Sequence, residues 1–184
     1  MNRLPDPARA WAFLDQSDLV VAAPEVDAAI VRLGGEMTRA LGDTYPLVLT
    51  VMGGAVVFAG RLLPLLRFPL DLDYVHATRY GAATQGGGIE WRVAPPAQVA
   101  GRTVVVLDDI LDGGLTLRAI RDRLLECGAK AVRVAVLVEK ILPTAKPISA
   151  DFVGLRIPDR FVFGYGMDAK GFWRNLPEIR ALKE

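Results

Sequence analysis

The stretch TVVVLDDILDGGLTLRAI at residues 103–120 decides the fold class of this chain. Its first five residues form an apolar, β-branched run, which predicts a buried strand that ends at Leu107. Apolar residues at helical spacing follow the turn, at Leu117, Ile120, Leu124 and Cys127. A buried strand, a turn and an amphipathic helix in succession form the repeating unit of α/β proteins.

The rest of the chain repeats this alternation of strands and helices. One helix is predicted over residues 26–41, and a second follows Gly53-Gly54 and ends or kinks at Pro64. Further strands are predicted at residues 47–52, 71–77, 89–93 and 131–140. The sequence therefore predicts an α/β fold with a mainly parallel, twisted sheet flanked by helices.

A chain of 184 residues is expected to form a single domain. The alternation of strands and helices places the core at about residues 25–165. The chain ends fit this alternation poorly, and residues 1–24 and 141–184 are expected to form a small hood over the sheet.

Composition limits the classes of function. Hydrophobic residues make up 52% and charged residues 23%, which is typical of a packed globular domain. The formal net charge of +1 gives no basic surplus for nucleic acid. Cys127 is the only cysteine, which excludes an intrachain disulfide. The N-terminal residues lack the apolar run of a signal peptide, and no membrane span is found, so we expect a cytoplasmic protein.

The residues between the central strand and its helix carry the chemistry. Ligands of open α/β sheets bind outside the carboxyl ends of the strands, and Asp108, Asp109 and Asp112 follow such a strand. Backbone amides of the Gly113-Gly114 turn form an anion site at the start of a helix. Carboxylates beside such a turn suit a sugar phosphate, although the same residues also occur in ordinary turns. The triphosphate-binding pattern G-x-x-x-x-G-K-[ST] is absent.

The segment VVVLDDILDGGLTL resembles the phosphoribosyl-pyrophosphate signature of type I phosphoribosyltransferases. Three more segments are similar to the hypoxanthine-guanine branch of that family. LVLTVMGGAVVFAGRL resembles its first active-site loop, and DLDYVHATRYG resembles the strand before its mobile second loop. DFVGLRIPDRFVFGYGMDAKGFWRNLP matches its purine-binding tail, so the resemblance covers about residues 25–180.

This resemblance implies a purine-salvage transferase. Such an enzyme converts hypoxanthine or guanine plus phosphoribosyl pyrophosphate into IMP or GMP plus pyrophosphate, with Mg²⁺, and forms a homodimer or homotetramer. Asp108 and Asp109 would hold the ribose hydroxyls, and together with Asp168 they would bind Mg²⁺. Asp112 would act as the general acid/base at N7 of the purine.

The resemblance also assigns residues to the other parts of the substrates. The turn of Gly113, Gly114, Leu115 and Thr116 would bind the 5′-phosphate. The two loops and the tail would bind pyrophosphate, through Met52, Gly53, Gly54, Arg79, Tyr80 and Arg174. Three residues would bind the purine. Lys140 would donate to the 6-oxo group, Phe161 would stack on the ring, and the backbone of Val162 would contact its edge.

Five positions depart from the common pattern of the family. Asp108 replaces the usual Glu, Gly113 replaces Thr or Ser, and Leu115 replaces Lys or another polar residue. Gly53 stands where Lys or Arg is usual, and Arg79 stands where Ser is usual. We expect these changes to affect substrate affinity, and we hypothesise that Arg79 supplies the cation that residue 53 lacks.

Two alternatives to the oxopurine enzyme remain. One is a relative specific for xanthine or another base. The other is a non-catalytic regulatory protein that keeps the fold and binds phosphoribosyl pyrophosphate or a nucleotide. Retention of Asp112, Lys140, Phe161 and Asp168 favours the enzyme. The role of His76, the only histidine, is left open.

Overall fold

The computed structural model describes residues 6–79 and 89–183. Four α-helices, two short 3-10 helices (Leu63–Leu65 and Ala97–Val99) and nine strands lie in these ranges. The helices are α1 (Pro7–Asp15), α2 (Ala23–Leu41), α3 (Val56–Leu62) and α4 (Leu115–Glu126). The strands are β1 (Ser17–Val21), β2 (Leu47–Val51), β3 (Asp71–Arg79), β4 (Ile89–Val93), β5 (Thr103–Leu111), β6 (Ala131–Ile141), β7 (Phe152–Pro158), β8 (Val162–Phe163) and β9 (Ile179–Leu182).

Six strands form the main sheet, in the order β4-β3-β2-β5-β6-β7. All neighbours in it are parallel except β4, which pairs antiparallel with β3 at one edge. Apolar residues of α2 and α3 pack on one face of this sheet, and those of α4 pack on the other. Burial of both faces explains why the central strands are continuous apolar runs. The predicted α/β class with a mainly parallel sheet is confirmed.

A second, three-stranded sheet joins the two ends of the chain. Its order is β1-β9-β8, with Ser17 opposite Leu182 and Val162 opposite Ala181. We call this sheet, together with the segment that joins β8 to β9, the hood; the bounds given to the hood from the sequence stay a prediction. The chain after residue 141 also contributes β7 to the main sheet, because an edge strand tolerates the polar and proline residues that hid its pattern in the sequence.

Strand β5 is longer than the sequence predicted, and the predicted end at Leu107 is wrong. Pairing with β6 continues through Asp108 opposite Val136 to Leu111 opposite Glu139. The carboxylates of Asp108 and Asp109 therefore lie within the last part of the strand. The strand continues beyond its apolar run because β6 still supplies backbone hydrogen-bond partners, and these partners serve polar and apolar residues alike.

No helix within residues 6–79 and 89–183 has both the length and the apolar character that a membrane span requires.

Candidate active site

A cavity of about 440 Å³ opens at the carboxyl ends of β2, β3 and β5. Three segments predicted from the sequence line it together: the loop after β2, the acidic end of β5 and the glycine turn before α4. Its described lining consists of Val51, Met52, Gly53, Gly54, His76, Thr78, Asp108, Asp109, Ile110, Asp112, Gly113, Gly114, Leu115, Thr116, Leu117 and Arg174.

The carboxylates of Asp108 and Asp109 lie side by side at the end of β5, with Asp108 buried and Asp109 half-buried. Burial, and then the negative charge of Asp109, raise the pKa of Asp108 well above its usual range. Burial also raises the pKa of Asp109, while the hydrogen bond with Asp108 and the positive charge of Arg174 act in the opposite direction. Two acids in contact, one of them buried, are stabilised by donors or by a cation. A sugar diol and a metal ion each meet that need.

The loop after β2 passes very close to the hood. A Cβ placed on Gly166 would lie 1.9 Å from the carbonyl oxygen of Gly54, and Gly166 has a φ of +103°. Only glycine fits such an approach. The loop is therefore fixed between β5 and the hood, with its backbone along the cavity.

The turn before α4 presents backbone amides to the same cavity. Gly114 caps the helix in the left-handed conformation with a φ of 81°, and α4 begins at Leu115. Helix N-termini of this kind bind phosphate through free N–H groups and the helix dipole. A Cβ on Gly113 would meet nothing within 4 Å. Space is thus available at this position for a larger side chain.

Lys140 and Asp112 form an ion pair that links β6 to the end of β5. Lys140 Nζ donates to Asp112 Oδ2 at 2.9 Å and lies 3.4 Å from Asp159 Oδ1. Lys140 is only 8% exposed, whereas Asp112 is largely open to the cavity. The structure thus brings together a buried donor and an accessible carboxylate, the two groups that the resemblance assigned to the purine.

Arg174 reaches the cavity from the hood. It forms an ion pair with Asp168, and its guanidinium donates to the carbonyl oxygen of Gly166 at 2.7 Å. Asp168 also accepts from the backbone N–H of Gly171 at 2.6 Å. The cation is therefore held in place next to the loop after β2.

Some predicted residues do not line this cavity. Phe161 is 54% exposed, whereas Val162 is buried in the hood. Arg79 is the last residue of β3, but its side chain and the whole of Tyr80 lie outside the described part of the chain, so neither is placed relative to the cavity. Lys140 lines a separate, larger cavity of about 750 Å³ and reaches the acidic site through Asp112.

Sequence reasoning missed two polar residues of the lining. His76 and Thr78 lie two residues apart on β3 and both face the cavity. The period of two along a strand puts them on one side, so their shared direction could have been read from the sequence. Nothing in the sequence indicated that this side faces the site at the edge of the sheet, because that depends on the strand order.

The described residues contain no group of three or more His, Cys, Asp or Glu side chains arranged to hold a metal ion. Mg²⁺ is commonly bound through one or two carboxylates together with waters and substrate oxygens. The adjacent carboxylates of Asp108 and Asp109, with Asp168 on the hood, supply donors of that class. The donor set fits a magnesium ion that shares its ligands with the substrate.

Comparison with known proteins gives a consistent result. The phosphoribosyl transferase domain family matches residues 17–170. The hypoxanthine-guanine phosphoribosyltransferase of Bacillus subtilis is 33% identical over 171 residues, which cover 92% of this chain and 94% of that protein. A crystal structure of a hypoxanthine-guanine phosphoribosyltransferase from Bacillus anthracis superposes with a TM-score of 0.79 at 27% identity, covering 89% of this chain and 96% of the other. A hypoxanthine-guanine-xanthine phosphoribosyltransferase structure has a TM-score of 0.78 at 30% identity, covering 92% and 99%.

Proposed function

The chain belongs to the phosphoribosyl transferase domain family and is a purine-salvage enzyme of the hypoxanthine-guanine type, and from this premise we propose how its own residues act. We propose that it joins hypoxanthine or guanine to phosphoribosyl pyrophosphate, yielding IMP or GMP and pyrophosphate. The ion pair of Lys140 and Asp112, in the same site as the adjacent acids Asp108 and Asp109, carries this proposal.

The purine edge is matched by the Lys140–Asp112 pair. A 6-oxopurine presents an oxygen at C6 and a nitrogen at N7 on the same edge. The Lys140 ammonium has donors only, so it suits the oxygen. Asp112 is accessible from the cavity and takes the N7 proton as N9 of the base bonds to the sugar. The 2.9 Å separation of the two groups is compatible with neighbouring atoms of one ring edge.

The sugar and phosphate ends are matched by the rest of the cavity. Asp108 and Asp109 accept from the ribose hydroxyls through charge-assisted hydrogen bonds. The amides of Gly113 to Thr116, at the start of α4, bind the 5′-phosphate. Arg174 and the backbone of Gly53 and Gly54 face the pyrophosphate as it departs with its negative charge. Asp108, Asp109 and Asp168 would hold Mg²⁺, which would supply electrostatic stabilisation of that leaving group when bound.

The experiment that tests this function measures pyrophosphate release with phosphoribosyl pyrophosphate and each of hypoxanthine, guanine, xanthine and adenine. We expect turnover with hypoxanthine and guanine, and much less with adenine. Turnover with xanthine alone would replace the proposal with the xanthine-specific alternative. Absence of turnover with all four bases would contradict it.

Two further expectations from the resemblance stay predictions. One is assembly into a homodimer or homotetramer, which light scattering of the purified protein measures. The other is a cytoplasmic location, which fractionation of cells that express the protein tests.

A further inference from the structure

We propose that Lys146 is a positioning residue that holds Asp112 and Lys140 in alignment for the purine; this inference rests on the proposed function of that pair. Lys146 lies in the loop between β6 and β7. Its Nζ donates to the carbonyl oxygen of Leu111 at 3.0 Å and to that of Lys140 at 2.5 Å. One ammonium group therefore ties the residue that precedes Asp112 to Lys140 itself.

The carbonyl groups of Leu111 and Lys140 lie at the end of the sheet, where neighbouring strands no longer supply backbone N–H donors. Leu111 is the last residue of β5 and pairs with Glu139, the last pair between β5 and β6. On the other side of β6, Pro158 lies opposite Ile141, and proline has no N–H to donate. Buried carbonyl groups need partners, and a lysine offers three donors on one nitrogen.

The ammonium of Lys146 is itself held in place. Its side chain is only 10% exposed, and Glu139 Oε1 lies 3.7 Å from Nζ. The loop that carries it packs on the phosphate-binding turn, since a Cβ on Gly114 would lie 3.1 Å from the buried Ile148. A buried lysine whose donors are matched by acceptors holds one side-chain conformation, unlike a solvated surface lysine.

Alignment of Asp112 with Lys140 has a direct consequence for the base. The two groups must meet neighbouring atoms of one rigid ring, so a shift of either backbone misplaces one of them. A misplacement of about 1 Å that originates away from the chemistry can cost about 10²-fold in rate. The Asp108–Asp109 pair has no hydrogen bond to Lys146 among those found in the described part of the chain. Use of the base is therefore expected to suffer more than use of phosphoribosyl pyrophosphate.

The test replaces Lys146 with methionine, which keeps the apolar stem and removes the donors. The matched control is Arg121→Met, because Arg121 is an exposed cation that lines the same 750 Å³ cavity as Lys146. For Lys146→Met we expect kcat/KM for hypoxanthine to fall by about 10- to 100-fold, with a smaller hypoxanthine-to-adenine ratio and an unchanged KM for phosphoribosyl pyrophosphate. Lys146→Arg, which keeps donors, should recover part of the loss, and Arg121→Met should behave as the native enzyme.

Each outcome decides the proposal. A native hypoxanthine-to-adenine ratio in Lys146→Met would overturn it, as would an equal loss in Arg121→Met. If Lys146→Met does not fold, Lys146→Leu, which also lacks donors, carries the test with the same expectation. Unfolding of both variants would show a purely structural role and overturn the proposal. A native protein that does not use hypoxanthine would instead contradict the proposed function, which the same assay shows before any variant is made.

Discussion

Gly54 and Asp109 approach so closely that a Cβ at residue 54 would lie 1.8 Å from Asp109 Oδ2. The loop after β2 and the acidic end of β5 thus share one space, and the absence of a side chain at Gly54 creates it. The carbonyl oxygen of Gly54 faces Gly166 of the hood on another side. The placement of the Asp109 carboxylate therefore depends on a glycine in a different segment of the chain.

Gly54→Ala should displace either the loop or the Asp109 carboxylate. We expect kcat/KM for phosphoribosyl pyrophosphate to fall by about 10²-fold, because the ribose and pyrophosphate groups both lose aligned partners. Steady-state kinetics measures this. Gly60→Ala is the control, since a Cβ there meets nothing within 4 Å and the residue lies within α3. Equal, native kinetics in both variants would show that the close approach has no role in the site.

Asp112→Asn should keep the contact with Lys140 and remove the proton acceptor. An amide oxygen still accepts from the ammonium, but it does not take a proton from N7. We expect kcat to fall by about 10²- to 10⁴-fold, with melting temperature and IMP affinity close to native. Titration calorimetry and turnover measurements on one preparation separate binding from catalysis. Near-native turnover would remove Asp112 from its assigned role.

Asp108→Asn should stabilise the fold at neutral and alkaline pH. Burial raises the pKa of Asp108, so the folded protein retains a proton that the unfolded chain releases. Stability therefore falls as the pH rises above the ordinary aspartate range, until the folded pKa is passed. Asparagine does not ionise, so the variant does not lose stability in this way. Each kcal/mol gained in the free energy of unfolding raises the melting temperature by about 2–4 °C at this chain length.

Melting curves between pH 4 and pH 8 check this expectation. The gain of Asp108→Asn should be largest at pH 8 and shrink towards pH 4, while phosphoribosyl pyrophosphate binding weakens at every pH. Asp122→Asn, on the exposed surface of α4, serves as the control and should show no such trend. A gain that grows towards acid pH would contradict the assigned direction of the shift.

Gly113→Thr should strengthen binding of the 5′-phosphate. The position is open, and its φ does not lie in the left-handed region that Gly114 occupies. A hydroxyl there adds one donor to an anion, and hydrogen bonds to charged groups contribute about 1.5–3 kcal/mol, or about 10- to 100-fold in affinity. Gly60→Thr provides the comparison away from the cavity. A KM for phosphoribosyl pyrophosphate that stays the same or rises would show that the turn binds phosphate without room for a further donor.

The sequence predicted the elements whose buried positions show in the spacing of apolar residues along the chain. Residues Val26, Ile30, Leu33, Met37 and Leu41 are all buried on α2, as their period indicated. The continuous apolar run of β2 is buried on both faces of the sheet. Local pattern is enough in these cases because the spacing of the apolar residues shows directly which positions of α2 and β2 are buried.

Other features depend on contacts between distant segments, and local pattern could not show them. The end of β5 at Leu111 is set by pairing with β6, and the hood joins Ser17 to Leu182. The part of Lys146 in the site is of the same kind, because its acceptors are backbone carbonyl groups and any residue type supplies those.

The most direct test of the account compares hypoxanthine with adenine in the native enzyme and in Lys140→Ala. The ammonium of Lys140 can donate to a 6-oxo group but has nothing to offer a 6-amino group, and a site built on such a contact rejects the wrong group by about 10⁴-fold or more. The account predicts that the ratio of kcat/KM values for hypoxanthine and adenine falls sharply in Lys140→Ala, mainly through loss of hypoxanthine turnover. An unchanged ratio would contradict it, because a group other than Lys140 would then read the 6-position.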